Sequence, residues 1–288
     1  VDHILIYRMH EEGEKENNRN NQGQSSMKFS VITISYNNAE GLRKTMESVF
    51  SQTCADYEFI VIDGGSNDGS VDIIKNGEQK LSFWCSEADK GVYNAMNKGV
   101  SHAKGDYLIF MNSGDTFHGR DALSKVAALQ LTSDIVACQI LRMDNGQLLR
   151  PYVDDVLVQL MQSTLNHQAT FIRRSVFDKC QYDERFKIVS DWKFWVEAIL
   201  FQGCSYQMLD LVVAEQDMNG ISNTNRALDK RERLQVMQEM FPQVVRERLM
   251  DYTRLYPLIK SAKDLQQRHS FWYVFVCRLT KLIAMIFH

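Results

Sequence analysis

From Phe29 to Asn112 the chain alternates apolar runs with helical ones, and this restricts the fold more than any other feature. "FSVITIS" (29–35), "YEFIVID" (57–63), "LSFWCSE" (81–87) and "YLIFMN" (107–112) are continuously apolar, as strands covered on both faces are. Between them, "GLRKTMESVFSQ" (41–52) sets Leu42, Met46, Val49 and Phe50 on one helical face. "VDIIKN" (71–76) follows the turn-rich "GGSNDGS", and "VYNAMNKGVSHA" (92–103) supplies a third helix. The repeat predicts an α/β fold, a Rossmann-like, mostly parallel sheet flanked by helices. Past residue 117, "DIVACQI" (134–140) and "YQMLDLVVAE" (206–215) read as strands, and "QATFIRRSVF" (168–177) as a strand running into a helix. "SDWKFWVEAILFQG" (190–203) reads as a helix capped by Ser190 and stopped at Gly203. Helices are expected to fill the remainder.

In such sheets ligands bind beyond the carboxyl ends of the strands. Those ends deliver Ser35-Tyr36-Asn37, then Asp63, then Glu87 and Asp89, then Asn112 and Asp115. No GxGxxG follows the first strand and no GxxxxGK[ST] occurs, which argues against a nicotinamide site or a P-loop. Turn chemistry alone accounts for Gly114 and Asp115 after a strand. The other reading is that Asp115 is aimed at a ligand.

A chain of 288 residues with 44% hydrophobic and 24% charged residues is globular. Its net charge of −3 argues neither for nor against a polyanionic partner, and no nucleic acid is expected. Residues 226–288 hold twelve basic against six acidic side chains, so residues 1–225 carry −9; this hints at an anionic surface such as a membrane. Six cysteines without Cys-x-x-Cys spacing read as small hydrophobes in a reducing compartment. Residues 11–26 contain no apolar side chain, so residues 1–26 are expected to be a disordered extension rather than a signal peptide.

The string "SVITISYNN…VIDGGSNDGSVDII…SEADKGVYNAMNKG…GDYLIFMNSGD" resembles the nucleotide-binding half of family 2 glycosyltransferases, which have the GT-A fold. "NHQATFIRRSVF…VSDWKFW" and "NGIS" resemble the acceptor half of its bacterial surface-polysaccharide members. The resemblance implies a GT-A domain over 27–225 (nucleotide half 27–117, acceptor half 118–225), followed by a helical region, 226–288. It implies an inverting, hexosyltransferase-like enzyme that uses Mn²⁺ or Mg²⁺ and a nucleotide sugar, a UDP-sugar first among them. The acceptor it implies is an oligosaccharide or lipid-linked glycan in capsule, O-antigen or exopolysaccharide assembly. Asp115 then binds the metal, while Asn112 replaces the first acid of the family's Asp-x-Asp-like motif. Asp63, Asp89, Ser35, Tyr36 and Asn37 fall on nucleotide-binding positions, and Lys98 on one that reaches a phosphate. Asp191 falls on the base, and His167, Gln168, Ser222 and Arg226 lie near acceptor or diphosphate. Each has a plainer reading: Asp63 as a turn cap, Tyr36 and Lys98 as surface residues, His167 as structural, and Asp191 as an acid favoured by its helix dipole. The loop "NGISNTNRALDKR" is either a lid over the diphosphate or an ordinary mobile loop. A catalytically silent nucleotide-sugar-binding or scaffolding subunit is the alternative to an enzyme.

"FWYVFVCRLTKLIAMIF" (271–287) is the most hydrophobic stretch, but as a helix it spans roughly 25 Å, short of the ~20 apolar residues that cross a bilayer. Arg278 and Lys281 fall on one side with Cys277 and Ala284; Phe271, Trp272, Phe275, Leu279, Leu282, Ile283 and Ile286 fall on the other. This predicts an interfacial helix or one packed on protein. Localisation is expected to be cytoplasmic, with a possible peripheral position on the inner face of the membrane.

Overall fold

The computed structural model describes residues 28–151, 155–218 and 225–287. The expectations for residues 1–26 and for Ser222 lie outside the described residues. Nine strands form one sheet: β1 (Phe29–Ser35), β2 (Tyr57–Asp63), β3 (Phe83–Ser86), β4 (Tyr107–Phe110), β5 (Thr116–Phe117), β6 (Ile135–Arg142), β7 (Leu148–Leu149), β8 (Thr170–Arg173) and β9 (Tyr206–Gln216). The order is β3-β2-β1-β4-β8-β6-β9-β5, with β7 on β6. The first four strands are parallel, in a register that sets Ser35 beside Asp63 and Asp63 beside Ser86. Their carboxyl ends therefore share one edge. Beyond β4 the sheet turns mixed: β8 lies antiparallel to β4 and β6, while β6 and β9 run parallel.

The helices are α1 (Ala39–Phe50), α2 (Ser70–Gly77), α3 (Val92–His102), α4 (Ala122–Ala128), α5 (Val156–Gln162), α6 (Ser190–Val196), α7 (Arg226–Met240), α8 (Gln243–Arg268) and α9 (Ser270–Phe287). Every residue of β1 is buried because both sheet faces are covered. Val31, Val61 and Ile109 pack with Leu42, Met46 and Val49 of α1. Ile32, Ile60 and Leu108 pack on the other face with Trp192, Phe194 and Trp195 of α6. On that face Gly99 lets α3 lie against β1, since a Cβ there would come within 2.4 Å of Ile32.

Three local expectations change. The 190–203 helix is α-helical only to Val196, continues as a π turn over Glu197–Phe201, and ends at Gly203, where φ is +63°. Ser190 is not the cap: Val189 holds that position, and the Ser190 hydroxyl is buried without a partner among the described residues. The chain after β8 makes only a short 3-10 turn, Arg174–Asp178. At the other end, α9 packs against α8 and leaves Phe271 75% and Trp272 56% exposed. Among the described residues no helix is long and apolar enough to cross a membrane.

Candidate active site

The nucleotide end is built by loops laced to one another. The buried Asp63 carboxylate accepts from the amides of Gly65 (3.1 Å) and Ser66 (2.9 Å) and from the hydroxyls of Ser66 (2.5 Å) and Ser86 (2.6 Å). It thus shapes the loop after β2 from beneath. Asn37, at φ +47°, joins that loop to the one after β1: its amide donates to Ser66 Oγ (2.8 Å), and its Oδ1 accepts from the Asn67 amide (3.0 Å). Tyr36 is 66% exposed. It flanks Gly64 together with Asp89: a Cβ on Gly64 would lie 2.6 Å from Asp89 Oδ2 and 3.2 Å from the Tyr36 ring. Gly64 therefore lets the ring and the carboxylate lie close against the backbone. The Ser35 hydroxyl is buried without a partner among the described residues. Lys98 is engaged elsewhere, in an ion pair with Glu87 at 2.7 Å.

The turn after β4 is held by α1. The Thr45 hydroxyl donates to Asp115 O (2.7 Å) and accepts from the Gly114 amide (3.0 Å). Asn38 caps α1 through Oδ1 and donates from Nδ2 to Ser113 O (3.1 Å). Gly114 is required twice over: its φ is +108°, and a Cβ there would meet Asp217 Oδ2 at 2.8 Å. Asp115 is buried, and its Oδ1 accepts from the Asp217 amide (2.9 Å). Burial pushes its carboxyl up to about 6; the Asp217 amide, His167 and the Gln168 side chain oppose that rise, and the Asp217 charge adds to it. Among the described residues no three His, Cys, Asp or Glu side chains converge as a complete metal site. A buried carboxylate with a second one close by fits an ion shared with a diphosphate, because Mg²⁺ is usually held by one or two carboxylates plus phosphate oxygens.

Asp191 sits in the first turn of α6. Its Oδ1 accepts from the Trp192 amide (2.8 Å) and reaches the Tyr93 hydroxyl (3.1 Å). Its Oδ2 faces His167 Nδ1 at 3.5 Å. On its other side, His167 Nε2 meets Asn112 Nδ2 at 2.9 Å. The chain Asn112–His167–Asp191 thus ties the end of β4 to α6. Asn112 makes this link through Nδ2, and its Oδ1 is buried without a partner among the described residues, free to accept from a ligand or to face an ion. Burial, with Asp191 beside it, pushes the Tyr93 hydroxyl well above its ordinary range, so it remains a donor.

The structure therefore brings Asn112, Asp115, His167, Gln168 and Asp191 together. It places Tyr36 and Asp89 against Gly64 on the same sheet edge, Asp63 beneath a loop, and Arg226 exposed at the start of α7. Sequence reasoning missed Tyr93 and Asp217. The available signals were a tyrosine on the buried face of α3 and an acid directly after the last strand.

A family model described as "Glycosyl transferase family 2" matches residues 30–190. The chain is 33% identical over 206 residues to the "PGL/p-HBAD biosynthesis glycosyltransferase" of Mycobacterium bovis, covering 68% of this chain and 79% of that protein. Among solved structures, the mannosyltransferase PcManGT from Pyrobaculum calidifontis in complex with GDP-Man and Mn²⁺ gives a TM-score of 0.61 at 15% identity, covering 91% of this chain and 81% of that one. S. aureus TarS 1–349 in complex with UDP-GlcNAc gives 0.60 at 16% identity, covering 85% and 73%. The chain spans 42% of a longer TarS structure. At these identities the structural likeness is one of fold.

Proposed function

The chain belongs to glycosyl transferase family 2, and from that premise we propose that it is a metal-dependent, inverting transferase acting on a nucleotide sugar. We take the donor to be a UDP-sugar and the acceptor an oligosaccharide or lipid-linked glycan. The observation that carries this reading is the Asn112–His167–Asp191 chain, which links the Asp191 carboxylate to the end of β4, next to the turn holding Asp115.

In this reading Asp191 Oδ2 takes the proton of the acceptor hydroxyl as its oxygen attacks the anomeric carbon. The bond from that carbon to the diphosphate oxygen breaks, and the nucleoside diphosphate leaves. Asp191 lies in the first turn of α6, and its Oδ1 accepts from the Trp192 amide. A carboxylate suffices as base if the proton moves late, when the sugar is oxocarbenium-like. Asp115, with Asp217 beside it, would hold Mn²⁺ or Mg²⁺, which when bound offsets the charge developing on the leaving diphosphate. Tyr36 and Asp89, both beside Gly64, would receive the base, with a ring for stacking and an acceptor for its N–H.

The setting we propose is surface-glycan assembly, such as capsule, O-antigen or exopolysaccharide; the relatives act in PGL/p-HBAD biosynthesis. The exposed Phe271, Trp272, Phe275 and Leu279 of α9, with Arg278, suit an anionic bilayer surface. That would put the enzyme on the inner face of the cytoplasmic membrane.

The test is nucleotide release in Mn²⁺ from UDP-glucose, UDP-galactose, UDP-N-acetylglucosamine and GDP-mannose, by wild type and Asp115→Ala. Slow release from one donor, abolished by EDTA and by the substitution, is expected. Silence on every donor, with no nucleotide binding by calorimetry, would favour a catalytically silent scaffolding subunit.

A further inference from the structure

Glu232 is a buried carboxylate on α7, yet its hydrogen bonds go to the backbone that leads into α6. Its Oε1 accepts from the Lys187 amide (3.0 Å). Its Oε2 accepts from the amides of Lys187 (3.2 Å), Ile188 (3.0 Å) and Val189 (3.3 Å). Three consecutive N–H groups converging on one anion form a concavity of the kind that elsewhere binds phosphate, filled here by the chain's own side chain. Val189 is the cap of α6 and makes no side-chain capping bond. Glu232 therefore fixes the three residues that lead into α6, without capping the helix's own first amides.

The same turn is gripped from the opposite side. The Tyr93 hydroxyl, on α3, lies 2.5 Å from Ile188 O and 3.1 Å from Asp191 Oδ1. The Asp191 turn thus sits between α3 and α7, held through its amides on one side and through a carbonyl and the carboxylate on the other. We propose that Glu232 is a positioning residue for Asp191, which makes α7 part of the catalytic centre rather than an appendage to it. The physical reason is steep distance dependence: a base displaced by about 1 Å loses on the order of a hundredfold in rate. The proposal rests on Asp191 being the base.

The test compares wild type, Glu232→Gln, Asp191→Asn and the double variant. Nucleotide release is followed with Mn²⁺ and whichever of UDP-glucose, UDP-galactose, UDP-N-acetylglucosamine or GDP-mannose the wild type turns over. Glu232→Gln keeps the side chain's shape but turns one acceptor into a donor facing backbone N–H groups. It should lower kcat roughly 10- to 100-fold and leave the donor KM within about threefold. In the Asp191→Asn background the same change should cost less than about threefold, because the group it positions is gone. An equal loss in both backgrounds, or a raised donor KM at unchanged kcat, overturns the proposal. If Asp191→Asn itself leaves kcat intact, the base assignment fails instead, and the single variant shows which has failed. Should Glu232→Gln not fold, Tyr93→Phe tests the other side of the grip with the same kcat-against-KM comparison.

Discussion

Asp115 is the residue on which stability and function pull apart. In the metal-free chain burial raises its pKa from 3.8 to about 6, so between those values the fold binds a proton that the unfolded chain releases. The stability contribution is thus fully present below pH 4, falls as pH rises towards 6, and stays low above it. A shift of this size corresponds to an upper bound of about 3 kcal/mol. Asp115→Asn removes the charge and keeps an oxygen for the Asp217 amide. It should raise the metal-free melting temperature at pH 7.5 while abolishing Mn²⁺-dependent nucleotide binding. A variant no more stable than wild type at that pH would contradict the burial argument. If Asp115 holds Mn²⁺ as proposed, the ion must displace this proton below about pH 6, so calorimetry at pH 5.5 should show weaker Mn²⁺-dependent UDP binding than at pH 7.5. Asp63 acts differently. Asp63→Ala strands four donors, each costing roughly 1–3 kcal/mol if left unsatisfied, and should lower both thermal stability and nucleotide affinity.

At the scale of elements, one hydroxyl joins α1 to the turn that presents Asp115. Thr45→Val keeps the volume but loses the bonds to Asp115 O and Gly114 N. An expected loss of about 1–3 kcal/mol, with weaker Mn²⁺–UDP binding, is checked by denaturant unfolding and calorimetry; unchanged affinity would show that the turn holds its shape without α1. The elements themselves were legible where one local signal sufficed. Strands β1, β2 and β4 announce themselves by continuous apolar runs, and α1 by Leu42, Met46 and Val49. What local pattern could not supply was partnership at a distance. Asp217 meets Asp115 across 102 residues, Tyr93 meets Asp191 across 98, and Glu232 meets Val189 across 43. No spacing rule reaches so far. Ser190 shows the converse: a serine at the start of a helix reads as a cap, yet its hydroxyl caps nothing, and the turn before the helix is held by a glutamate from another helix. Asn112 was legible as a departure from an acidic motif, and the contact of its Nδ2 with His167, which leaves Oδ1 buried and unpartnered among the described residues, was not.

For the whole molecule, the sheet and the first seven helices form the catalytic body, and α9 projects apolar side chains with no cover among the described residues. Removing residues 270–288 should therefore leave nucleotide release in solution within about twofold, since no residue of the candidate site lies there. The same truncation should abolish sedimentation with anionic phosphatidylglycerol vesicles, to which the full chain should bind in a salt-sensitive way. Full-length protein that ignores such vesicles would assign the exposed face to a protein partner instead.

A single displacement with Asp191 as base inverts the anomeric centre, and the stereochemistry of slow donor hydrolysis reads that out. Proton NMR of an α-linked nucleotide sugar, followed during early turnover in Mn²⁺ before mutarotation, identifies the anomer released first. The β anomer is predicted. Release of the α anomer would contradict direct attack with Asp191 as base.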